Sequence, residues 1–183
     1  MNSRESLCYD TASTLSLSLQ ESTIMTIKTG DRVPSATLKK MGEKGPENIT
    51  TEAIFAGKKV VVFAVPGAFT PTCSAAHLPG YVTSAHKFRA QGVDTIACVS
   101  VNDAFVMGAW GKAQNAGEIL MLADGNGDFA KALGLTLDAS GFGMGLRSQR
   151  FAMVVDNGVV THLAVEPGPG LDVSGAEKVL AAL

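Results

Sequence analysis

Cysteine is scarce in this sequence of 183 residues, which contains three: Cys8, Cys73 and Cys98. Three thiols so widely spaced cannot form the dense disulfide framework of a small secreted protein. The sequence therefore predicts a protein of a reducing compartment, and the cytoplasm is the expected location.

An excess of charge of one sign and long apolar runs are also missing. Lys and Arg (15) nearly balance Asp and Glu (17), for a net charge of -2, so no basic surface of the kind that binds nucleic acid or an anionic membrane is expected. No apolar run approaches the roughly 20 residues needed to cross a bilayer. We therefore expect neither a nucleic-acid partner nor a membrane partner.

Composition divides the chain into a short polar segment and one domain. Residues 1–25 are rich in Ser and Thr, and they lack the apolar core and basic start of a secretory signal. We interpret them as a flexible N-terminal extension. Residues 26–183 then form a single domain, large enough to bury a sizeable core.

Strand and helix patterns alternate along this domain. Valine-rich apolar runs at residues 59–65 and 94–101 predict strands that are covered on both faces. Residues 74–91 follow the first run with roughly helical spacing of apolar side chains. Strands that alternate with helices in this way indicate an α/β fold.

The C-terminal third predicts a different arrangement. Asp156-Asn157-Gly158 separates two β-rich runs and is a strong signal for a hairpin. Ser174 and Glu177 have the spacing of a capping box at the start of a last helix. The whole pattern predicts a mixed central sheet flanked by helices.

A stiff turn places one cysteine at the start of a helix. Pro66 and Gly67 directly follow the first strand, while Thr70 and Pro71 suit the cap and first turn of a helix. Cys73 then lies where free backbone N–H groups and the helix dipole favour the nucleophilic thiolate. The alternative is a small buried apolar side chain, which is the usual role of a free cysteine.

The surroundings of this thiol narrow its chemistry. A thioredoxin-type disulfide exchanger needs a second cysteine three residues on, where Ala76 stands. His77 is near enough to face Cys73 and, with His162, could bind a soft metal, although this set of ligands is small for a copper or zinc site. A thiolate without a general base suits an electrophile with its own weak bond, such as the O–O bond of a peroxide.

Attack on a peroxide requires a hydroxyl that orients it and donors that stabilise charge on the departing oxygen. Thr70 can supply the hydroxyl from the same turn as Cys73. Gly67 and the free N–H groups of the loop can supply donors at close range.

Residues 66–73, PGAFTPTC, resemble the P-x-x-x-T-x-x-C motif of the peroxiredoxins, and with ACVSVNDAFVMGAWG they are similar to the type-5 (type II) branch. The similarity covers residues 28–183. It implies a thioredoxin-like fold and thiol-dependent reduction of hydrogen peroxide and alkyl hydroperoxides in oxidative-stress defence, with no cofactor or metal. By this resemblance Cys73 is the peroxidatic cysteine, oxidised to a sulfenic acid; Pro66 shields it, and Thr70 hydrogen-bonds the thiolate and the peroxide.

The family also places an arginine across the site and packs a homodimer near the cysteine loop. Arg150, immediately before the FAMVV strand, matches that arginine best. For Arg147 we expect the default of a solvated surface arginine. A homodimer is expected for this chain on the resemblance alone.

Two routes could resolve the sulfenic acid. Cys98 matches the resolving cysteine of plant members, but its apolar strand also suits a buried packing role. A disulfide would require the turn around Cys73 to unwind, since bridged Cα atoms must come within about 7 Å. We favour a one-cysteine cycle with glutathione or glutaredoxin as reductant, and thioredoxin as the alternative.

Two other functions fit the same thiol. A redox-sensing thiol-switch protein would change its binding to a partner after Cys73 oxidises, and a metal-binding module would use Cys73, His77 and His162. Thr70 and Arg150 favour the peroxidase, because neither alternative needs them.

Overall fold

The computed structural model describes residues 25–183, so Cys8 and all but the last residue of the predicted extension, 1–25, lie outside the described residues. Within this range no helix is both long and apolar enough to cross a membrane. The elements are, in chain order, β1 (Thr37–Gly42), β2 (Gly45–Thr50), α1 (Thr51–Phe55), β3 (Lys59–Val65), a π-helix (Cys73–His77), α2 (Leu78–Ala90), β4 (Thr95–Ser100), α3 (Ala104–Ala113), β5 (Ile119–Ala123), α4 (Asp128–Leu133), β6 (Thr136–Asp138), a 3-10 helix (Ser140–Phe142), β7 (Leu146–Ser148), β8 (Phe151–Asp156), β9 (Val159–Val165) and α5 (Ala176–Leu180).

Seven strands form one mixed sheet in the order β2-β1-β5-β4-β3-β8-β9. The three central strands β3, β4 and β5 are parallel, and the outer pairings are antiparallel. Strands β6 and β7 form a separate antiparallel ribbon of two strands. The predicted mixed sheet flanked by helices is confirmed.

Alternate residues of β3 point into two cores, one on each face of the sheet. Phe63 packs in the core that also contains residues of α2, α3 and α5, whereas Val62 packs with residues of α1 and α4. Both described cysteines, Cys73 and Cys98, belong to the core on the Phe63 side. They therefore lie on the same side of the sheet, Cys73 in the helical layer and Cys98 in the sheet.

The predicted hairpin is confirmed between β8 and β9. Asn157 and Gly158 both have positive φ, 46° and 80°, as the tight turns that best match the twist of paired strands require. Its return strand, β9, ends at Val165, and this brings the C-terminal segment back beside α2.

The helix predicted over 74–91 begins with a π-helix. The N–H of Leu78 donates to the Cys73 carbonyl, five residues earlier, and α2 continues from Leu78 through Pro79 to Ala90. Proline has no N–H to donate, and the wider turn immediately before it accommodates that missing bond. Cys73 is thus in the first turn, as predicted, but in a turn of unusual width.

The predicted capping box of the last helix is wrong. The N-cap of α5 is Gly175, which has no side chain to cap it. The Ser174 hydroxyl instead donates to Glu166 Oε1 at 2.7 Å. The helix starts one residue later than the capping-box spacing requires, so Ser174 lies just before the cap position and its side chain turns to Glu166.

Candidate active site

The loop between β3 and the π-helix is held by short polar contacts. Ala68 N–H donates to Asn102 Oδ1 at 3.0 Å, and Ser100 Oγ donates to the same oxygen at 2.8 Å. Phe69 has a φ of 62°, a region that bulky side chains rarely adopt. The loop is therefore fixed from β4 and its following turn, in one strained conformation.

Arg150 contacts the cysteine from the opposite side. Its Nη1 lies 3.4 Å from Cys73 Sγ and 3.1 Å from His77 Nδ1. Strands β3 and β8 are antiparallel with Ala64 opposite Phe151, so the residue before β8 comes level with the end of β3, where the cysteine loop starts. The guanidinium is buried beside a buried thiol, and a cation at this distance stabilises negative charge on sulfur.

Hydrogen bonds define the proton position on His77. Its Nδ1 accepts from Arg150, and its Nε2–H donates to the Ser174 carbonyl at 3.1 Å. Burial lowers the pKa of His77 from 6.5 to about 4, helped by the Arg150 charge and opposed by the bond to Ser174 and by the Glu166 charge. The imidazole is therefore neutral near pH 7, with its proton on Nε2.

The hydrogen bonds of the two His77 ring nitrogens argue against a metal site formed by Cys73, His77 and His162. Both are in hydrogen bonds, so neither has a lone pair directed to an ion. In the part of the chain that the structure describes, no cluster of three or more His, Cys, Asp or Glu side chains could hold a metal. The geometry favours an arginine-binding role for this imidazole.

One donor at the site has no protein partner. Within residues 25–183, the side-chain atom that is buried without a hydrogen-bond acceptor is Arg150 Nε. An unsatisfied buried donor costs about 1–3 kcal/mol, so such groups are rare unless they serve a ligand. The same guanidinium contacts Cys73 Sγ through Nη1.

Thr70, Gly67 and Pro66 lie on the cysteine loop as predicted. Thr70 Oγ1 donates to the Gly67 carbonyl at 2.8 Å, which leaves the lone pairs of the hydroxyl to accept a further bond. Gly67 acts here as an acceptor, and a donor role for its N–H stays a prediction. Pro66 is half-buried directly after β3.

Arg147 is not a solvated surface arginine, and this expectation is wrong. Its side chain is half-buried, with Nη1 donating to the Val101 carbonyl at 3.0 Å and Nε donating to the Met144 carbonyl at 2.9 Å. The two carbonyls come from separate loops, so Arg147 fixes the β6–β7 ribbon against the turn after β4.

Cys98 occupies a different environment on the same core. It lies on β4 between Phe63 of β3 and Met121 of β5. Burial raises the pKa of its thiol well above the usual value, and the nearby Cys73 charge adds to this. The neutral thiol that results is a poor nucleophile.

Sequence reasoning missed several contacts that build the site. In the sequence Asn102 is only one residue of the ACVSVNDAFVMGAWG motif, yet its amide oxygen holds the cysteine loop. Trp110 Nε1 donates to Ser74 Oγ at 3.1 Å, next to Cys73. Ser174 is 97 residues from His77 in the sequence, so no local pattern could predict the bond between them.

Comparison with known proteins agrees with this geometry. A family model described as Redoxin matches residues 28–180. Two curated relatives are Peroxiredoxin-2E-2, chloroplastic, of Oryza sativa, 48% identical over 87% of this chain and 74% of its own, and Peroxiredoxin-2D of Arabidopsis thaliana, 46% identical over 86% of this chain and 98% of its own.

A solved structure is similar in both sequence and fold. Reduced Prx3 of Vibrio vulnificus, in complex with hydrogen peroxide, is 61% identical and has a TM-score of 0.83 over 86% of this chain and 99% of its own. Identity at this level over nearly the whole domain extends to the thioredoxin-like fold and to the enzyme class. The chain therefore belongs to the peroxiredoxins and is a thiol-dependent peroxidase that reduces hydroperoxides.

Proposed function

We propose that Cys73 is the peroxidatic residue. Its thiolate attacks the terminal oxygen of the hydroperoxide, forms an S–O bond and breaks the O–O bond. The cysteine becomes a sulfenic acid, and the oxygen that departs with the electron pair takes a proton to become water or an alcohol. The observation that carries this proposal is the Arg150 guanidinium 3.4 Å from Cys73 Sγ.

The surrounding groups support the same step. Arg150 can stabilise both the thiolate and the developing charge on the departing oxygen, because its Nε–H has no protein acceptor. Thr70, whose proton is donated to Gly67, can accept a hydrogen bond from the hydroperoxide O–H. Pro66 limits access of water to the loop. A thiol switch would need none of these groups.

The sulfenic acid is reduced by an external thiol. Glutathione displaces water and forms a mixed disulfide with Cys73, and a second thiol, from glutaredoxin or glutathione, releases the thiolate. The buried, neutral Cys98 thiol on a central strand supports this one-cysteine cycle over an internal disulfide. We propose a cytoplasmic location, because that reducing compartment supplies glutathione.

A coupled steady-state assay tests the reductant. Wild type and Cys98→Ser are given hydrogen peroxide with either glutathione and glutaredoxin or thioredoxin and its reductase. We expect equal turnover of both proteins with the first pair. Turnover with thioredoxin that is lost in Cys98→Ser would contradict the one-cysteine cycle and assign Cys98 as the resolving cysteine.

We also propose that the protein is a homodimer through the surface beside the cysteine loop. Large apolar side chains are exposed there, although such patches are usually covered, and Arg147 holds the β6–β7 ribbon against Val101. Sedimentation should give a dimer for wild type and a monomer for Phe142→Asp; a monomeric wild type would contradict the proposal. Apart from Met25 at the start of the described residues, the large apolar side chains exposed there are Phe69, Phe105, Leu137, Phe142 and Leu146.

A further inference from the structure

A chain of buried hydrogen bonds runs from the C-terminal segment to the cysteine. It begins at Glu166, directly after β9, where Oε1 accepts from Ser174 Oγ at 2.7 Å, Ser174 N at 2.8 Å and Asp172 N at 2.9 Å. Three donors on one oxygen close residues 166–174 into a loop. Its shape depends on that carboxylate.

The loop presents one backbone carbonyl to the helix that carries the cysteine. The Ser174 carbonyl accepts from His77 Nε2 at 3.1 Å and from the Tyr81 hydroxyl at 2.7 Å. His77, Tyr81 and Ser174 are all buried, so water does not compete for these groups. A buried carbonyl with this placement selects the tautomer of His77 that carries its proton on Nε2.

That tautomer decides what His77 can offer to Arg150. With the proton on Nε2, Nδ1 has a lone pair that accepts from Arg150 Nη1 at 3.1 Å, and the same Nη1 contacts Cys73 Sγ. With the proton on Nδ1, two N–H donors would face each other, and the guanidinium would have to turn away. The backbone links the ends as well, since Glu166 N donates to the Arg150 carbonyl at 2.9 Å.

We infer that Glu166 is a positioning residue for the peroxidase reaction, which acts through Ser174 and His77 to hold Arg150 against Cys73. This inference rests on the proposed function of Cys73 and Arg150. Glu166 contacts neither the sulfur nor Arg150 through its side chain. Its effect is therefore one of orientation, comparable to the outer partners of metal ligands, whose loss slows reactions by about 10- to 100-fold.

Three variants separate this role from a structural one. Glu166→Ala removes the acceptor, whereas Glu166→Gln keeps an amide oxygen that can accept the same donors. Tyr81→Phe is the matched control, since it removes the other donor to the Ser174 carbonyl without touching Arg150. Stopped flow with hydrogen peroxide should show a loss of about 10-fold in Glu166→Ala and of less than about 3-fold in the other two.

The ¹⁵N chemical shifts of His77 report directly on the chain of hydrogen bonds from Glu166 to Arg150. In protein labelled with ¹⁵N-histidine, His77 of wild type should show one protonated nitrogen, Nε2, and one unprotonated nitrogen, Nδ1. In Glu166→Ala the two shifts should move towards each other as both tautomers become populated, and in Glu166→Gln they should stay apart. The inference is overturned if Glu166→Ala reacts like wild type, or if it slows while His77 keeps its tautomer.

Two further outcomes are possible: Glu166→Ala does not fold, or the wild type does not react with peroxide. If Glu166→Ala does not fold, Ser174→Ala is used instead, since it removes only the hydroxyl donor. It should slow the reaction with peroxide about 3-fold and change the His77 shifts less than Glu166→Ala would. If neither the rate nor the shifts change in Ser174→Ala, the inference is overturned. If wild type itself reacts no faster than free cysteine, the proposed function fails. In that case the ¹⁵N shifts of His77 in Glu166→Ala still show whether Glu166 sets the tautomer of His77.

Discussion

The two buried cysteines within residues 25–183 show how different two thiols in one core can be. Cys73 and Cys98 are both inaccessible to solvent, and both belong to the core between the sheet and helices α2, α3 and α5. Cys73 has a guanidinium at 3.4 Å and a strained loop in front of it. Cys98 lies in a strand between Phe63 and Met121, and burial keeps the pKa of its thiol high.

The comparison shows that two equally buried cysteines can have very different electrostatic environments. A buried thiol without charged partners stays protonated, because its ionised form loses hydration and gains nothing in return. A buried thiol beside a buried cation has its charge stabilised in a medium of low dielectric. If Cys73 is the peroxidatic residue, as we propose, its reactivity depends on the polar groups that the fold brings to it.

Exchange of each cysteine for serine should give the largest contrast. Cys73→Ser should lose all reaction with peroxide, because a serine hydroxyl does not ionise near neutral pH and is not oxidised. Cys98→Ser should keep the wild-type rate within about 3-fold, since its side chain takes no part in the first step. Stopped flow under single-turnover conditions checks both, and a fast Cys73→Ser would reverse the assignment.

Loss of the Arg150 guanidinium should remove most of the difference in peroxide reactivity between Cys73 and Cys98. Arg150→Ala should slow the peroxide reaction by a factor of about 10 to 1000, because the thiolate and the departing oxygen both lose their donor. Arg89→Ala is the control, since Arg89 is exposed and pairs with Glu118 at 3.2 Å. Equal rates in Arg150→Ala and Arg89→Ala would place the stabilising charge elsewhere.

The buried His77 beside Cys73 should also make the free energy of unfolding depend on pH. Burial holds the pKa of His77 at about 4 instead of 6.5, so the unfolded state binds a proton first as the pH falls. Stability should thus be highest above pH 6.5 and should fall towards pH 4, by up to about 3 kcal/mol from this group.

Urea unfolding at several pH values measures this loss. In His77→Gln the slope between pH 4 and 6.5 should become flatter, whereas His86→Gln, an exposed site on α2, should keep the wild-type slope. An unchanged slope in His77→Gln would show that His77 is not buried in its neutral form.

The hydroxyl of the loop should have the smallest effect of these groups. Thr70→Val keeps the shape of the side chain but removes the oxygen that bonds to Gly67 and can meet the peroxide, so the rate with peroxide should fall about 10-fold. Thr70→Ser, which keeps the hydroxyl, should restore most of it. If valine and serine behave alike in stopped flow, the hydroxyl has no part in the reaction.

Much of this comparison could be predicted from the sequence. The apolar run before Pro66, the turn and the spacing of Thr70 and Cys73 predicted a thiol at a helix start, whereas Arg150 was assigned by the resemblance to the family. Local signals of this kind are strong because each depends on a few neighbouring residues. The mixed sheet followed from the alternation of strands and helices.

The long-range contacts could not be predicted in the same way. Ser174 was expected to cap its own helix, but folding brings Glu166 close enough to take its hydroxyl. Arg147 was expected in solvent, but two loop carbonyls from separate parts of the chain bind it. Contacts of this type depend on tertiary packing, which overrides local preference.

One measurement tests the central claim, that Cys73 and not Cys98 reacts with peroxide. Reduced protein is mixed with one equivalent of hydrogen peroxide, followed by stopped flow, and then analysed by intact mass and peptide mapping. We predict loss of the Cys73 thiol orders of magnitude faster than free cysteine, with one added oxygen on that residue. A rate no better than free cysteine, or oxygen added first at Cys98, would contradict the account.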